Sequence, residues 1–385
     1  MIRVSREQVI SYRLAAQQFG RQVRSASELA VLDIGLQDSV PGGAQLALAA
    51  RLAPQPGAGA GLEPGAARAE PARTGPGERF ALCWTLRGAP HLHRRDDLDR
   101  LGGALWPLSD ADAAVRLGVT GRAIARAGQS ALELLALAVE AMHVAVPGPT
   151  GKGEVSAAMT RQLPAVLTKD CRACRTRHVS DPTMRLAALA AGTEFEPLTA
   201  PPVLVPRAGA VTPAHTDRAA LRELICDYLR LLGPATVTEV AGYLDARRAD
   251  IEEVWPTGLV EVDADGRRAQ LAAGCLDSLT SARRPELVRL LSPFDPYLQA
   301  RDREVIVPDA GIRKVLWPVL GRPGVVLVDG EVAGIWRPRA SGKRLTVTVD
   351  AFTSLAPTAW RTITDEAQLV GAARGVADVQ LVRGS

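Results

Sequence analysis

Apolar residues recur at helical spacing at Val9, Ile10, Leu14, Ala15 and Phe19, which predicts a first helix over 6–19. A short second helix is expected over 29–35. Residues 36–43 must break it, because Pro41 cannot extend a helical ladder, and a helix resumes over 44–52. Residues 80–86 are nearly all apolar and read as a buried strand. A long helix is predicted over 122–146, stopped by Gly148-Pro149. A short helix over 153–163 and a strand over 203–205 follow. Two helices, less regular chain and a strand make a degenerate winged helix.

The clearest module spans 217–272. Asp217 precedes a helix with Leu221, Leu224, Ile225, Tyr228 and Leu232 on one face, and Gly233-Pro234 makes the turn. Thr236, with Glu239 three residues on, reads as a capping box opening a second helix. A third helix over 247–254 leads to two strands, 259–262 and 268–271, around Asp265-Gly266. Three helices and a two-stranded wing form a winged helix-turn-helix, a DNA-binding module that in some proteins mediates only protein contacts. From residue 285 the pattern turns to β. A hairpin over 325–336 has an Asp329-Gly330 turn, 345–349 alternates, and a helix over 365–373 and a strand over 379–382 finish a small α+β domain. Residues 54–78 are rich in Pro, Gly and Ala without apolar periodicity and read as a flexible insertion. The expected domains are therefore 1–205, 206–284 and 285–385, in an α+β fold.

The 385 residues suffice for two or three such domains, and the 47% hydrophobic content supports real cores. No apolar run is long enough to span a membrane. The first residues are charged and lack the apolar segment of a signal peptide, so a cytoplasmic, nucleoid-associated monomer is expected. The five cysteines are scattered, which does not suit a disulfide framework. The net charge of +4 is too mild to argue nucleic-acid binding alone. The Arg-for-Lys bias fits GC-rich coding as well as phosphate recognition by a planar fork.

Four groups of residues could carry chemistry. Gln37, Asp38 and Ser39 bring an amide, a carboxylate and a hydroxyl together before Pro41; they could equally satisfy backbone donors in a turn. Arg87, His91, His93, Arg94 and Arg95 form a basic group that could contact phosphate or base, or be a solvated strand end. Lys152 could meet phosphate or be solvated. Cys171-x-x-Cys174-x-x-x-His178 has partial zinc spacing, but a closed site takes four ligands and no second Cys pair exists, so neither metal nor cofactor is expected. Arg172, Arg175 and Arg177 in that segment are expected to face DNA.

Several segments together resemble the AlkZ/YcaQ family of tandem winged-helix DNA glycosylases. Gly35-Leu-Gln-Asp-Ser-Val-Pro41 with Leu46–Arg51 is similar to the family's first signature, which carries Gln-x-Gln or Gln-x-Asp. Leu86-Arg-Gly-Ala-Pro-His-Leu92 is similar to its Arg-Gly-Thr-x-His strand. Leu291-Ser-Pro-Phe-Asp-Pro-Tyr-Leu298 through Arg303 is similar to its Ser-Pro-Phe-Asp stretch, and 328–334 to its C-terminal hairpin.

The resemblance implies tandem winged helices forming a C-shaped channel for double-stranded DNA. It also implies excision of N7-alkylated purines, bulky adducts or crosslinks, in repair or in self-resistance to a genotoxin. The chain departs from the signature at Ser39, where the family has Gln or Asp; the carboxylate sits one position earlier, at Asp38. An N7-alkylated purine already carries positive charge and leaves without a general acid. The oxocarbenium-like transition state needs a water on the far face and negative charge nearby. In that reading Gln37 holds the water, Asp38 stabilises the cation and accepts a proton, and Ser39 helps position the water. A non-catalytic DNA binder or transcriptional regulator is the alternative.

Overall fold

The structure, a computed structural model, describes residues 1–53, 79–197, 199–213 and 215–384. The expected flexible insertion 54–78 lies outside the described residues. The chain is mixed α+β and divides into two compact units. One comprises Met1–Arg73, Asp227–Thr236 and Gly258–Ser385; the other comprises Thr74–Cys226 and Val237–Thr257.

The first unit opens with a strand the periodicity did not reveal. Ile2–Val4 pairs in parallel with Leu259–Ala264, which pairs antiparallel with Arg267–Ala272. Three residues are too few to show alternation, and only a partner edge makes them a strand. Ser5 then caps the helix Arg6–Ala16 through a capping box with Gln8. Val4, Val9 and Tyr12 pack with Val262, Leu271 and Leu279. The second core lies on a five-stranded sheet in the order Val288–Leu291, Gly324–Val328, Glu331–Ser341, Arg344–Ala351, Asp378–Arg383. Its first three pairings are antiparallel and the last is parallel. That parallel pair needs a crossover, supplied by the helix Pro357–Ala373, whose Ile363, Ala367 and Val370 cover Val347, Val349 and Trp336. The helix begins eight residues earlier than the expected 365, because Pro357 takes the first helical turn, where its missing N–H costs nothing. Both Asp-Gly turns form as expected, with Asp265 and Gly266, and Asp329 and Gly330, at positive φ.

In the second unit the hairpin Phe80–Trp84/Pro90–Arg94 and the helices Ala131–Ala145, Lys152–Gln162 and Asp181–Ala190 surround one core of Trp84, Leu135, Met142, Met159 and Met184. The helix expected over 122–146 is two helices, Val119–Arg126 and Ala131–Ala145. Gly128 at φ 64° ends the first, and Ser130 caps the second. Helices at Leu98–Leu105 and Asp110–Arg116 and a hairpin, Thr168–Cys171 with Thr176–Val179, were not foreseen. The helix Arg218–Leu232 carries the chain from one unit into the other, with Asp217 accepting the N–H groups of Ala219 and Ala220. Val237–Leu244 and Arg248–Glu253 follow.

Candidate functional site

The Gln37-Asp38-Ser39 motif lies in the first unit, between a two-residue strand, Leu36–Gln37, and the helix Gly43–Ala49. Gly42 at φ 72° turns the chain into that helix, and a Cβ there would meet the Ala373 carbonyl oxygen at 2.6 Å. Gly42 has no side chain to cap the helix. The Asp38 carboxylate does so from four residues upstream, accepting the Ala44 N–H at 3.0 Å. Burial raises the Asp38 carboxyl above its ordinary pKa, against the opposing pull of the Ala44 and Gly43 amides. Residues 37 and 39 share a side of the chain, and the buried Gln37 amide donates to the Ser39 hydroxyl at 2.8 Å. Ser39 itself is exposed. The three residues thus divide. Asp38 is tied to the helix N-terminus, while Gln37 and Ser39 form an amide–hydroxyl pair that reaches solvent.

The second unit carries the Arg87 segment. Arg87 and Gly88 both have positive φ, 57° and 62°. This is an uncommon backbone for arginine, of the kind found at functional turns. The Arg87 guanidinium lies 4.6 Å from the Tyr243 ring centroid and donates to the Tyr243 carbonyl at 2.8 Å. It lines a cavity of about 290 Å³ with Thr85, Arg116, Asp181, Arg185 and Asp245.

The two histidines expected at a DNA contact do not fit that role. His91 is 1% exposed and His93 is fully buried, so neither ring reaches a phosphate. The strand Pro90–Arg94 packs on both faces, which a one-sided basic reading did not anticipate. His91 Nδ1–H donates to the Ala89 carbonyl at 2.9 Å, and His93 Nε2 meets Thr85 Oγ1 at 3.0 Å. Burial, reinforced by Arg87 and His93, holds the His91 pKa well below 6.5. Both rings build the turn that presents Arg87.

Lys152 opens the helix Lys152–Gln162, with its ammonium 5.7 Å from the Trp84 ring centroid. Arg172 and Arg175 are exposed in the turn of the hairpin 168–179. The same hairpin brings Cys171, Cys174 and His178 together, their ligand atoms within 4.8 Å of one another. Counting ligands along the sequence had set this group aside.

Two buried ion pairs in the first unit were missed. Arg51 meets Asp295 through both carboxylate oxygens at 2.8 Å, with both side chains at 0% exposure, and stacks on Phe19. Arg13 meets Asp302 at 2.6 and 3.0 Å. Arg51 and Asp295 stand in two of the signature segments, so part of each signature serves folding. Their separation of 244 residues hides the pairing from any local reading.

The sequence profile of the family described as DNA glycosylase AlkZ-like matches residues 29–373. The chain belongs to this family and is a DNA glycosylase, a hydrolase of N-glycosyl bonds whose substrate is DNA. Among solved structures the fold is similar to Streptomyces sahachiroi DNA glycosylase AlkZ, with a TM-score of 0.73 at 19% identity over 100% of both chains. No curated protein matches the chain. Among the described residues, no helix is long and apolar enough to cross a membrane.

Proposed function

We propose that this glycosylase excises N7-alkylated purines, bulky adducts included, from double-stranded DNA held by tandem winged-helix modules. Gln37, Asp38 and Ser39 form the catalytic group in this reading. The observation that carries it is the exposed Ser39 hydroxyl held by the buried Gln37 amide. A hydroxyl whose lone pair is already engaged keeps its own proton to donate, and it can orient a water for attack on the sugar carbon. Asp38, held close by the helix N-terminus, adds negative charge as the oxocarbenium ion develops. Such charge acts mainly in the transition state.

Arg87, Lys152, Arg172 and Arg175 are the proposed phosphate contacts. Arg87 is already ordered by Tyr243 and the turn arginines are exposed, which suits that role. Three helices and a hairpin, in order from Arg218 to Ala272, support the winged-helix reading of that segment. The test is incubation with duplex DNA carrying a single N7-alkylguanine, followed by alkali. Strand scission at the adduct is the expected result; intact strands, with unmodified and mispaired duplexes as controls, would remove the substrate assignment.

A further inference from the structure

Thr168–Cys171 and Thr176–Val179 form a two-stranded sheet that, among the described residues, no third strand extends. Lys169, Asp170 and every residue from Arg172 to Arg177 are exposed, and Val179 alone is buried. Its base is held by Val179, which packs with Val155 and Met159 of the helix Lys152–Gln162, whereas its turn end has almost no apolar surface to hold it. What it does have is three soft or borderline donors in one place. Cys171 pairs with Thr176 and Lys169 with His178, so Cys171 and His178 lie on the same face of the ladder. Arg175, at φ 54°, bends the turn and brings Cys174 back over that face. The Cys171, Cys174 and His178 ligand atoms then lie within 4.8 Å of one another.

We infer that Cys171 Sγ, Cys174 Sγ and His178 Nε2 bind one divalent thiophilic metal ion, zinc by preference, with the fourth position open to solvent. Two sulfurs and an imidazole are a zinc donor set. Ideal bonds of about 2.3 Å to sulfur and about 2.0 Å to nitrogen need only small side-chain rotations from the observed spacing. The surroundings match what a ligand set requires. His178 Nδ1 lies 2.7 Å from the Val179 carbonyl, an oxygen that can only accept, so Nδ1 carries the proton and the Nε2 lone pair is free to ligate. The backbone N–H groups of Cys174 and Ala173 point at the Cys171 sulfur. Thr176 Oγ1 donates to Cys174 Sγ at 3.6 Å. Two thiolates neutralise the dication. Binding expels the thiol protons to solvent. The ion is a staple: it ties the turn holding Arg172 and Arg175 to the strands and fixes the spacing of those arginines.

The test uses the full chain, freed of metal and kept reduced, titrated with cobalt(II). One equivalent is expected to give a thiolate-to-cobalt charge-transfer band and tetrahedral d–d bands, both bleached by zinc. Cys171→Ser and Cys174→Ser abolish the bands, while Cys226→Ser, outside the hairpin, keeps them. Zinc should also shield Cys171 and Cys174 of the unaltered protein from alkylation, a readout independent of whether any variant folds. Trypsin cleavage after Arg172 and Arg175 should slow about 100-fold when free zinc is one hundred times its dissociation constant, if only the closed hairpin binds. The inference is overturned if no band appears at one equivalent, if Cys171→Ser binds as well as the parent, if zinc leaves alkylation and proteolysis unchanged, or if the protein isolated without reductant carries a Cys171–Cys174 disulfide.

Discussion

At the scale of single residues, Asp38 has two separable jobs. Its Oδ1 accepts the Ala44 N–H, and its charge is proposed to act on the developing cation. Asparagine keeps an oxygen for that N–H, so Asp38→Asn tests the charge alone. Because burial raises the folded pKa of Asp38, the stability its carboxyl contributes is greatest at low pH and lost as pH rises through that pKa. At neutral pH the buried charge is a cost. Asp38→Asn should therefore leave the melting temperature unchanged or slightly raised, while excision falls on the order of 100-fold. Asp38→Ala removes the acceptor as well and should lose about 1 kcal/mol of stability. Gln37→Ala should slow excision about tenfold to a hundredfold, the worth of the one hydrogen bond that holds the water-orienting Ser39 hydroxyl. Single-turnover rates and thermal melts on the same preparations decide the matter. Parent-like excision by Asp38→Asn, with loss in Ser39→Ala, would leave Asp38 a helix cap only.

At the scale of elements, the five-stranded sheet rests on one close approach. A Cβ on Gly324 would lie 2.1 Å from the indole of its cross-strand partner Trp336. Trp336 is 1% exposed and donates Nε1–H to the Leu291 carbonyl, so it cannot swing away. Gly324→Ala should cost about 1–3 kcal/mol, read in denaturant melts, by forcing the two strands apart. The Arg51–Asp295 pair predicts a larger loss. Asp295→Ala strands a fully buried guanidinium and should cost about 3–5 kcal/mol. A double variant in which Arg51 becomes Met should recover much of that, since no unpaired charge remains. If Asp295→Ala melts like the parent, the pair does not hold the unit together.

At the scale of the whole molecule, charge governs how the protein meets DNA and how it meets acid. Affinity for duplex DNA should fall linearly on a log–log plot against salt, with a slope of about −0.9 for each phosphate neutralised. Replacing Arg172 and Arg175 together should make the slope shallower by about 2; an unchanged slope would take both off the interface. The acid response centres on the second unit. His91 has its folded pKa depressed well below 6.5, so the stability from keeping it neutral is complete above about pH 6.5. That stability is lost as pH falls below this value, when the unfolded chain takes up a proton the folded site refuses. The melting temperature should drop between about pH 7 and 5. His91→Asn, which keeps a donor for the Ala89 carbonyl, should flatten that portion of the curve.

The amino-acid sequence alone determined whatever depends on near neighbours. The capped helix after Ser5, the Asp217 cap, both Asp-Gly turns and the alternation over 345–349 follow from side chains within a few residues of one another. The signature segments were legible in the same way, and with them the family and the glycosylase activity. Local signals also misled where a turn residue intervened: Gly128 divided an apolar run that periodicity alone joins. Tertiary structure alone decided the parts that need distant partners. Ile2–Val4 is a strand because Val262–Ala264 lies beside it. Asp295 belongs to Arg51, and Asp302 to Arg13, across more than two hundred residues. His91 and His93 looked like surface cations and are core, because burial is set by what packs on both faces of a strand. Cys171, Cys174 and His178 failed a count of ligands along the chain and became a cluster only when the hairpin folded, since a metal responds to distance in space and not to the number of cysteines in a segment.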